Sequence, residues 1–465
     1  MQETGRPPGA GAAPAAPGAV RQHAPGLILA LLSWGLILLW VGVSKPLNAP
    51  DEPAHLQAIL QVRKQHQLPE VHYEFVGNRA RVVSPPTDPT VRAYAQQVGR
   101  RGEFPLIPYE SMQAPLYYVV TGVAALPLPP DPQTVLYLGR VIAALFGAGT
   151  VYFCWAAGRV LAPQAPAWAI ASAAAVALLP QFCFNSATAA NDSAFNCASA
   201  AAFYVWLRAL RDPAYDPWLL RAGAVLGLAV LTKLTGLALA PGLGVLLLVR
   251  LAGAPPGGSW GAWWPRAVRL TAGAAGGTLA VCGWWLLRNL LVYGEVTGGR
   301  DAFHFYHIRF QQFDWTSAAQ RAAFLEQTWE SLWGRFGWMS IRLDPGWYTQ
   351  TRYVALILLI VSLVALVRAR PRLPGRALAR WPFAWQAGLV FASVGLAIAL
   401  GYWQYNVTVN FQAQGRYFFA LLLPAAWMGT GGLYTLLPGR ARVVALGLLL
   451  LWLGILNAAG LAALG

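Results

Sequence analysis

The sequence predicts an all-α polytopic membrane protein of about eleven transmembrane helices, with a large first extracytoplasmic loop bearing surface helices. Three observations carry that reading. The chain is 57% hydrophobic and only 11% charged over 465 residues, too apolar for one soluble core. Its apolar residues fall in runs of span length, and the arginines gather in every second gap between those runs. This arrangement accounts for the net charge of +16 as positively charged inner loops and disfavours a nucleic-acid face. Cys154, Cys183, Cys197 and Cys282 lie within or beside apolar runs, with neither a disulfide framework nor metal spacing.

Residues 1–25 are Gly, Ala and Pro with scattered arginine, a composition that predicts a disordered cytoplasmic tail. Residues 26–465 form a single transmembrane domain. Gly26 to Lys45 supplies about twenty apolar residues, enough to cross roughly 30 Å of hydrocarbon. The first outer loop follows, 46–134. In it Asp51 is a candidate N-cap for a helix from Glu52 to Gln67, with Pro53 in the first turn. Leu56, Ile59, Leu60 and Arg63 recur at helical spacing, as suits a helix lying on the membrane surface. Val71 to Ile107 shows no clear period and reads as irregular. The apolar run opened by Gln113-Ala114-Pro115-Leu116-Tyr117-Tyr118 ends at Leu126, short for a span, and reads as a second surface or re-entrant helix.

Further crossings are expected at Val135–Leu161, Ala165–Cys183, Ser193–Leu210, Trp218–Lys233, Leu237–Leu251, Val268–Leu291, Tyr353–Val367, Trp385–Tyr405, Tyr417–Leu437 and Val443–Ala463. A second large outer loop occupies 292–352. With the N-terminus inside, the inner loops hold Arg208 and Arg211, then Arg250, Arg266 and Arg269, then Arg368 to Arg380, then Arg440 and Arg442.

That alternation sets one group of polar residues at the outer surface, although they come from distant parts of the chain. The group comprises Asp51, Glu52, His55, Gln113, Tyr117, Asn191, Asp192, Lys233, Arg288, Gln414 and Arg416. Helical spacing turns Asp51, Glu52 and His55 to one side of a first turn. Lys233, Arg288 and Arg416 are cations on the side where the charge rule disfavours them, and such groups suit a lipid phosphate. Carboxylates facing cations suit transfer of a sugar from a polyprenyl phosphate: the cations absorb charge on the departing phosphate, and a carboxylate takes the proton of the attacking hydroxyl. Asp51 is the expected base, with Glu52 its rival and Glu52 or Asp192 orienting the acceptor. His304 and His307 with Asp301 lack a further well-spaced ligand and are flanked by Arg300 and Arg309, so a divalent metal is not indicated. A transporter or flippase of lipid-linked saccharides is the competing reading. A non-catalytic envelope-assembly protein is the third.

The motifs Pro50-Asp51-Glu52-Pro53-Ala54-His55, Gln113 to Tyr118, Asn191-Asp192, Thr232-Lys233-Leu234-Thr235-Gly236, Arg288-Asn289 and Gln414-Gly415-Arg416-Tyr417 resemble a bacterial family of predicted membrane proteins. That family is similar to the C-type (GT-C) glycosyltransferase superfamily, which includes protein O-mannosyltransferases and aminoarabinose transferases. The resemblance implies a bacterial inner-membrane enzyme with an extracytoplasmic site, Asp51 as the catalytic residue and a polyprenyl-phosphate sugar donor. It also implies a hydroxyl acceptor on glycan, lipid or protein. It extends the substrate-binding set to Tyr118, Asn289 and Tyr417. The chain departs from many relatives, which carry His or Glu where it has Gln113-Ala114.

Overall fold

The computed structural model describes residues 19–100, 106–213, 216–253, 260–368 and 378–465. The expected tail therefore lies outside the described residues up to position 18. The first helix, α1 (Ala19–Val43), begins inside the stretch read as tail. Arg370, Arg372 and Arg376 of the inner-loop assignment also lie outside.

The first long loop, 46–134, contains more regular structure than its composition suggests. It holds α2 (Glu52–Gln65), an antiparallel hairpin of β1 (His72–Val76) and β2 (Arg79–Ser84), α3 (Pro89–Gln97) and α4 (Leu116–Ala124). The hairpin and α3 fall where no period was legible, because short strands and a nine-residue helix leave little pattern. Helix α2 does not lie on a surface. Every residue from Glu52 to Val62 is buried, and its two glutamines are used internally. Gln57 donates to the Leu106 carbonyl and accepts from the Asp88 amide, and Gln61 donates to the Glu70 carbonyl. These bonds replace water on what would have been the solvent face.

Helices α5 (Pro132–Leu161), α6 (Pro166–Ala177), α7 (Pro180–Ser186), α8 (Asp192–Arg211), α9 (Pro217–Thr232), α10 (Ala240–Ala252) and α11 (Trp260–Tyr293) follow. The second long loop, 292–352, carries α12 (Arg300–Arg309), α13 (Ala318–Trp333) and a short hairpin, β3 (Arg335–Phe336) with β4 (Ile341–Arg342). The chain closes with α14 (Pro345–Arg368), α15 (Phe383–Thr408), α16 (Leu422–Leu436) and α17 (Gly439–Leu464).

Among the described residues eight helical stretches are long and apolar enough to cross a membrane, or nine if α6 and α7 count as one bent span. That pair turns by 65° where Leu179, extended before Pro180, interrupts the helix. The two other expected crossings are helices that do not meet the same test. Helix α9 has 16 residues, about 24 Å at 1.5 Å per residue. Helix α8 has 20 but carries Asp192, Ser193, Asn196 and Ser199 on its early turns. The predicted count of eleven is thus not fixed by length and apolarity.

Helix α5 packs against α1, α6 and α8, and α9 lies against α8 and α11. The α9 and α11 backbones come very close: a Cβ on Gly223 would lie 1.9 Å from the Ala274 carbonyl oxygen. Such small-residue contacts let two spans share a narrow seam. This packing sets the height at which α9 ends, and Lys233 follows that end.

Candidate active site

Loop and helix-end segments from distant parts of the chain converge on one cavity of about 700 Å³. The first brings Asp51. Its φ is +64°, a left-handed conformation that costs most residues energy and that Asp tolerates better than most. In that conformation the carbonyl, not the side chain, serves α2, accepting from the Ala54 and His55 amides. The expected side-chain cap is absent, and the carboxylate is free to face the cavity.

The second brings Asp192, the first residue of α8, and the third Lys233, extended between α9 and the 3-10 turn Leu234–Leu239. The Asn191 amide fixes the two segments together by donating to the Thr232 carbonyl at 3.1 Å. Gly236 is needed there, since a Cβ would lie 2.5 Å from the carbonyl carbon of Ala229. The fourth brings Arg416, in the 3-10 turn Gly415–Leu421 ahead of α16. Gly415 is likewise forced: a Cβ would meet the Leu332 amide nitrogen at 2.6 Å, and its own N–H donates to Ser331 Oγ at 2.7 Å. Thus the glycine of Gln414-Gly415-Arg416-Tyr417 seats this turn on α13.

The charges form an alternating chain. Arg416 donates to Asp51 Oδ2 at 2.7 Å and to Asp192 Oδ2 at 3.2 Å, and Lys233 pairs with Asp192 Oδ1. All four side chains are largely buried yet reach the cavity. Two positive and two negative groups cancel, so an incoming anion competes with carboxylates for cations already in place. Tyr109, in the 3-10 turn Tyr109–Met112, donates to Asp51 Oδ1 at 2.8 Å. Burial alone would raise the Asp51 carboxyl, but the Arg416 guanidinium and the hydrogen bonds from Arg416 and Tyr109 hold it below the ordinary carboxylate range. His55 is pushed down to about 4 by burial, against the pull of Asp51 and Asp192, so its ring is neutral at pH 7. Its Nδ1 shares a 2.7 Å hydrogen bond with the Tyr118 hydroxyl.

Of the residues expected in the site, Asp51, His55, Gln113, Asp192, Lys233, Gln414, Arg416 and Tyr417 line this cavity. The others do not. Glu52 is turned into the protein, where Arg140 grips both its oxygens at 2.9 and 2.8 Å and the Ala189 amide donates a third bond. Both partners of that ion pair are fully buried, so Glu52 does not reach the cavity. Arg288 bonds Glu70 at 2.7 Å, away from the other two cations, and Asn289 donates to the Val296 carbonyl. Tyr117 donates to the Gly139 carbonyl, and Tyr118 stands behind His55. Tyr109, Glu110 and Arg140 are among the residues that the sequence does not point to. Arg140 had a signal, a lone cation inside an apolar run that required a carboxylate partner. The other two stand four and three residues before Gln113, in a stretch without periodicity. His307 Nδ1 bonds the Thr408 carbonyl, and among the described residues no three His, Cys, Asp or Glu side chains are grouped to hold a metal ion.

Residues 34–424 match a family described as predicted membrane protein, DUF2142. The chain belongs to that family. No curated protein matches the sequence. Among solved structures, this DUF2142 chain is similar to an Archaeoglobus fulgidus oligosaccharyltransferase tethered with an acceptor peptide, at TM-score 0.50 and 14% identity over 96% of the chain. It is also similar to ArnT from Cupriavidus metallidurans bound to undecaprenyl phosphate, at TM-score 0.49 and 16% identity over 93% of the chain. The chain spans 55% of the first protein and 64% of the second. The likeness to the oligosaccharyltransferase shows a fold of the GT-C kind.

Proposed function

We propose that this protein transfers a sugar from a polyprenyl-phosphate donor to a hydroxyl acceptor at the outer face of the bacterial inner membrane. The observation that carries the reading is the alternating chain Asp51, Arg416, Asp192, Lys233 in one cavity that also has an apolar wall. Leu234, Leu237, Ala238, Ala397 and Ile398 form that wall, between the turn after α9 and α15. An isoprenoid tail suits the wall, and a phosphate suits the two cations. Asp51 then exchanges Arg416 for the hydroxyl that attacks the anomeric carbon, while Asp192 keeps Lys233 positioned. The amides of Gln113, Asn410 and Gln412 and the rings of Tyr306 and Trp338 offer hydrogen bonds and flat faces to sugars. Orientation is supported by the helix ends. Asp192 opens α8 while Arg208 and Arg211 close it, which puts the cavity opposite the arginine-rich end. The GT-C kind of fold agrees with the reading.

The test is transfer from a panel of polyprenyl-phosphate sugars by the purified chain in lipid nanodiscs, with binding of the bare lipid phosphate measured in parallel. Lys233→Met is expected to weaken polyprenyl-phosphate binding roughly 10- to 100-fold, as loss of a charge-assisted bond does. Arg288→Gln is expected to leave it within about twofold, because that side chain is off the cavity. Equal losses in the two variants would contradict the assignment of the phosphate to Lys233 and Arg416. Movement of labelled lipid across a vesicle, without any transfer, would favour the transporter.

A further inference from the structure

Glu110 lines the same cavity from the turn Tyr109–Met112 and is only 8% exposed. The residue before it, Tyr109, is bonded to Asp51, which ties this turn to the start of α2. Lys233 and Arg416 are engaged by Asp192 and Asp51, and among the described residues Glu110 has no ion pair. The Gln113 side chain lies beside its carboxyl, and the Gln113 backbone amide donates to the Glu110 carbonyl at 3.0 Å. Asp51 and Glu110 thus present two carboxyls of opposite character to one space. Asp51 is held ionised by a guanidinium and a phenol, a good arrangement for orienting a hydroxyl and a poor one for retaining its proton.

Building on the transferase reading, we propose that Glu110 is the catalytic group that takes the proton of the acceptor hydroxyl, which Asp51 orients. In the step, the acceptor oxygen bonds to the anomeric carbon. The bond from that carbon to the phosphate oxygen breaks and leaves its electron pair on the phosphate. The proton from the acceptor oxygen goes to the Glu110 carboxylate.

The electrostatics agree with the geometry. Burial first, then the Asp51 charge, push the Glu110 carboxyl up to about 8, against Lys233, the Gln113 bond and Arg416. Those are the charged groups that face it. The phenols of Tyr73, Tyr109, Tyr118, Tyr306, Tyr405 and Tyr417 also lie within its electrostatic reach. Phenols are uncharged near pH 8. A base near the operating pH combines availability with driving force, and it must be deprotonated to act. The ratio kcat/KM, which reports the ionisation of the free protein, therefore rises with pH through about 8.

The experiment is the pH profile of kcat/KM, with kcat measured beside it, for the full chain in nanodiscs, for wild type, Glu110→Gln and Glu110→Asp. Expected for Glu110→Gln is a loss of roughly 100-fold or more in kcat and no rising limb, with the Kd for polyprenyl phosphate within about threefold of wild type. Glu110→Asp keeps a carboxyl and is expected to retain the limb and transfer within about tenfold of wild type. Wild-type turnover with a wild-type limb in Glu110→Gln overturns the proposal and leaves the transferase reading standing. So does a loss in Glu110→Asp equal to that in Glu110→Gln. A wild type inert toward every polyprenyl donor overturns both. Folding supplies the control. The folded carboxyl sits above its ordinary 4.5, so the folded state holds more protons than the unfolded one between about 4.5 and 8, and stability falls as pH rises through that window. Glu110→Gln lacks this loss, and its Tm is expected to equal or exceed that of wild type at pH 8.

Discussion

Asp51→Asn is expected to lower the transfer rate ~10²- to 10⁴-fold while leaving polyprenyl-phosphate binding unchanged or tighter. The range is that of a lost interaction that orients the attacking hydroxyl in the transition state. Binding is preserved because the phosphate is assigned to Lys233 and Arg416, and Asn removes the carboxylate that competes for Arg416 at 2.7 Å. The substitution keeps the size of the side chain, so Tyr109 still has an oxygen to donate to and the backbone at Asp51 keeps a residue tolerant of positive φ. Single-turnover rates with bound donor, set beside a Kd for the unsugared lipid, measure the two effects separately. A parallel fall in rate and affinity would place Asp51 in donor binding.

The second large effect concerns Glu52, one residue along and different in kind. Glu52→Ala, or Arg140→Ala, leaves one buried charge without its partner and is expected to destabilise the protein by roughly 3–5 kcal/mol. The pair is fully buried and bidentate, and Arg140 also donates to the Ser44 and Lys45 carbonyls. It therefore joins the end of α1, the start of α2 and α5. Thermal unfolding of detergent-solubilised protein reads the loss. The double replacement Glu52→Gln with Arg140→Met is expected to recover part of it, since no lone charge remains. A single variant of Glu52 that unfolds like wild type but transfers slowly would return Glu52 to the chemistry.

How these two neighbouring acids part company shows what the sequence could convey. Their position beside a span, and the arginine-rich gaps, were enough to gather Asp51, His55, Asp192, Lys233 and Arg416 at one surface, and the cavity contains all five. The helix phase that grouped Glu52 with Asp51 failed because Asp51 precedes the helix in a left-handed conformation, outside any helical period. Arg288 shows a second limit. A cation at a span end has the same appearance whether it meets a ligand or a partner, and its partner Glu70 lies in the segment without periodicity. Glu110 was hidden for the same reason: a four-residue 3-10 turn has no repeat, and only the packed loop reveals that it faces the cavity. The fold class was legible because membrane spans impose long apolar runs. The number of crossings was not, because α8 and α9 bury polar or short segments inside the bundle.

The central claim, that Lys233 and Arg416 hold the phosphate of a lipid donor beside Asp51, is tested most directly by a structure of the protein in a nanodisc with polyprenyl phosphate. The expected density places the phosphate between Lys233 Nζ and the Arg416 guanidinium, with Asp192 still on Lys233, and lays the tail over Leu237 and Ile398. A phosphate seated at Arg288, or anywhere outside the cavity that Asp51 and Glu110 share, would contradict it.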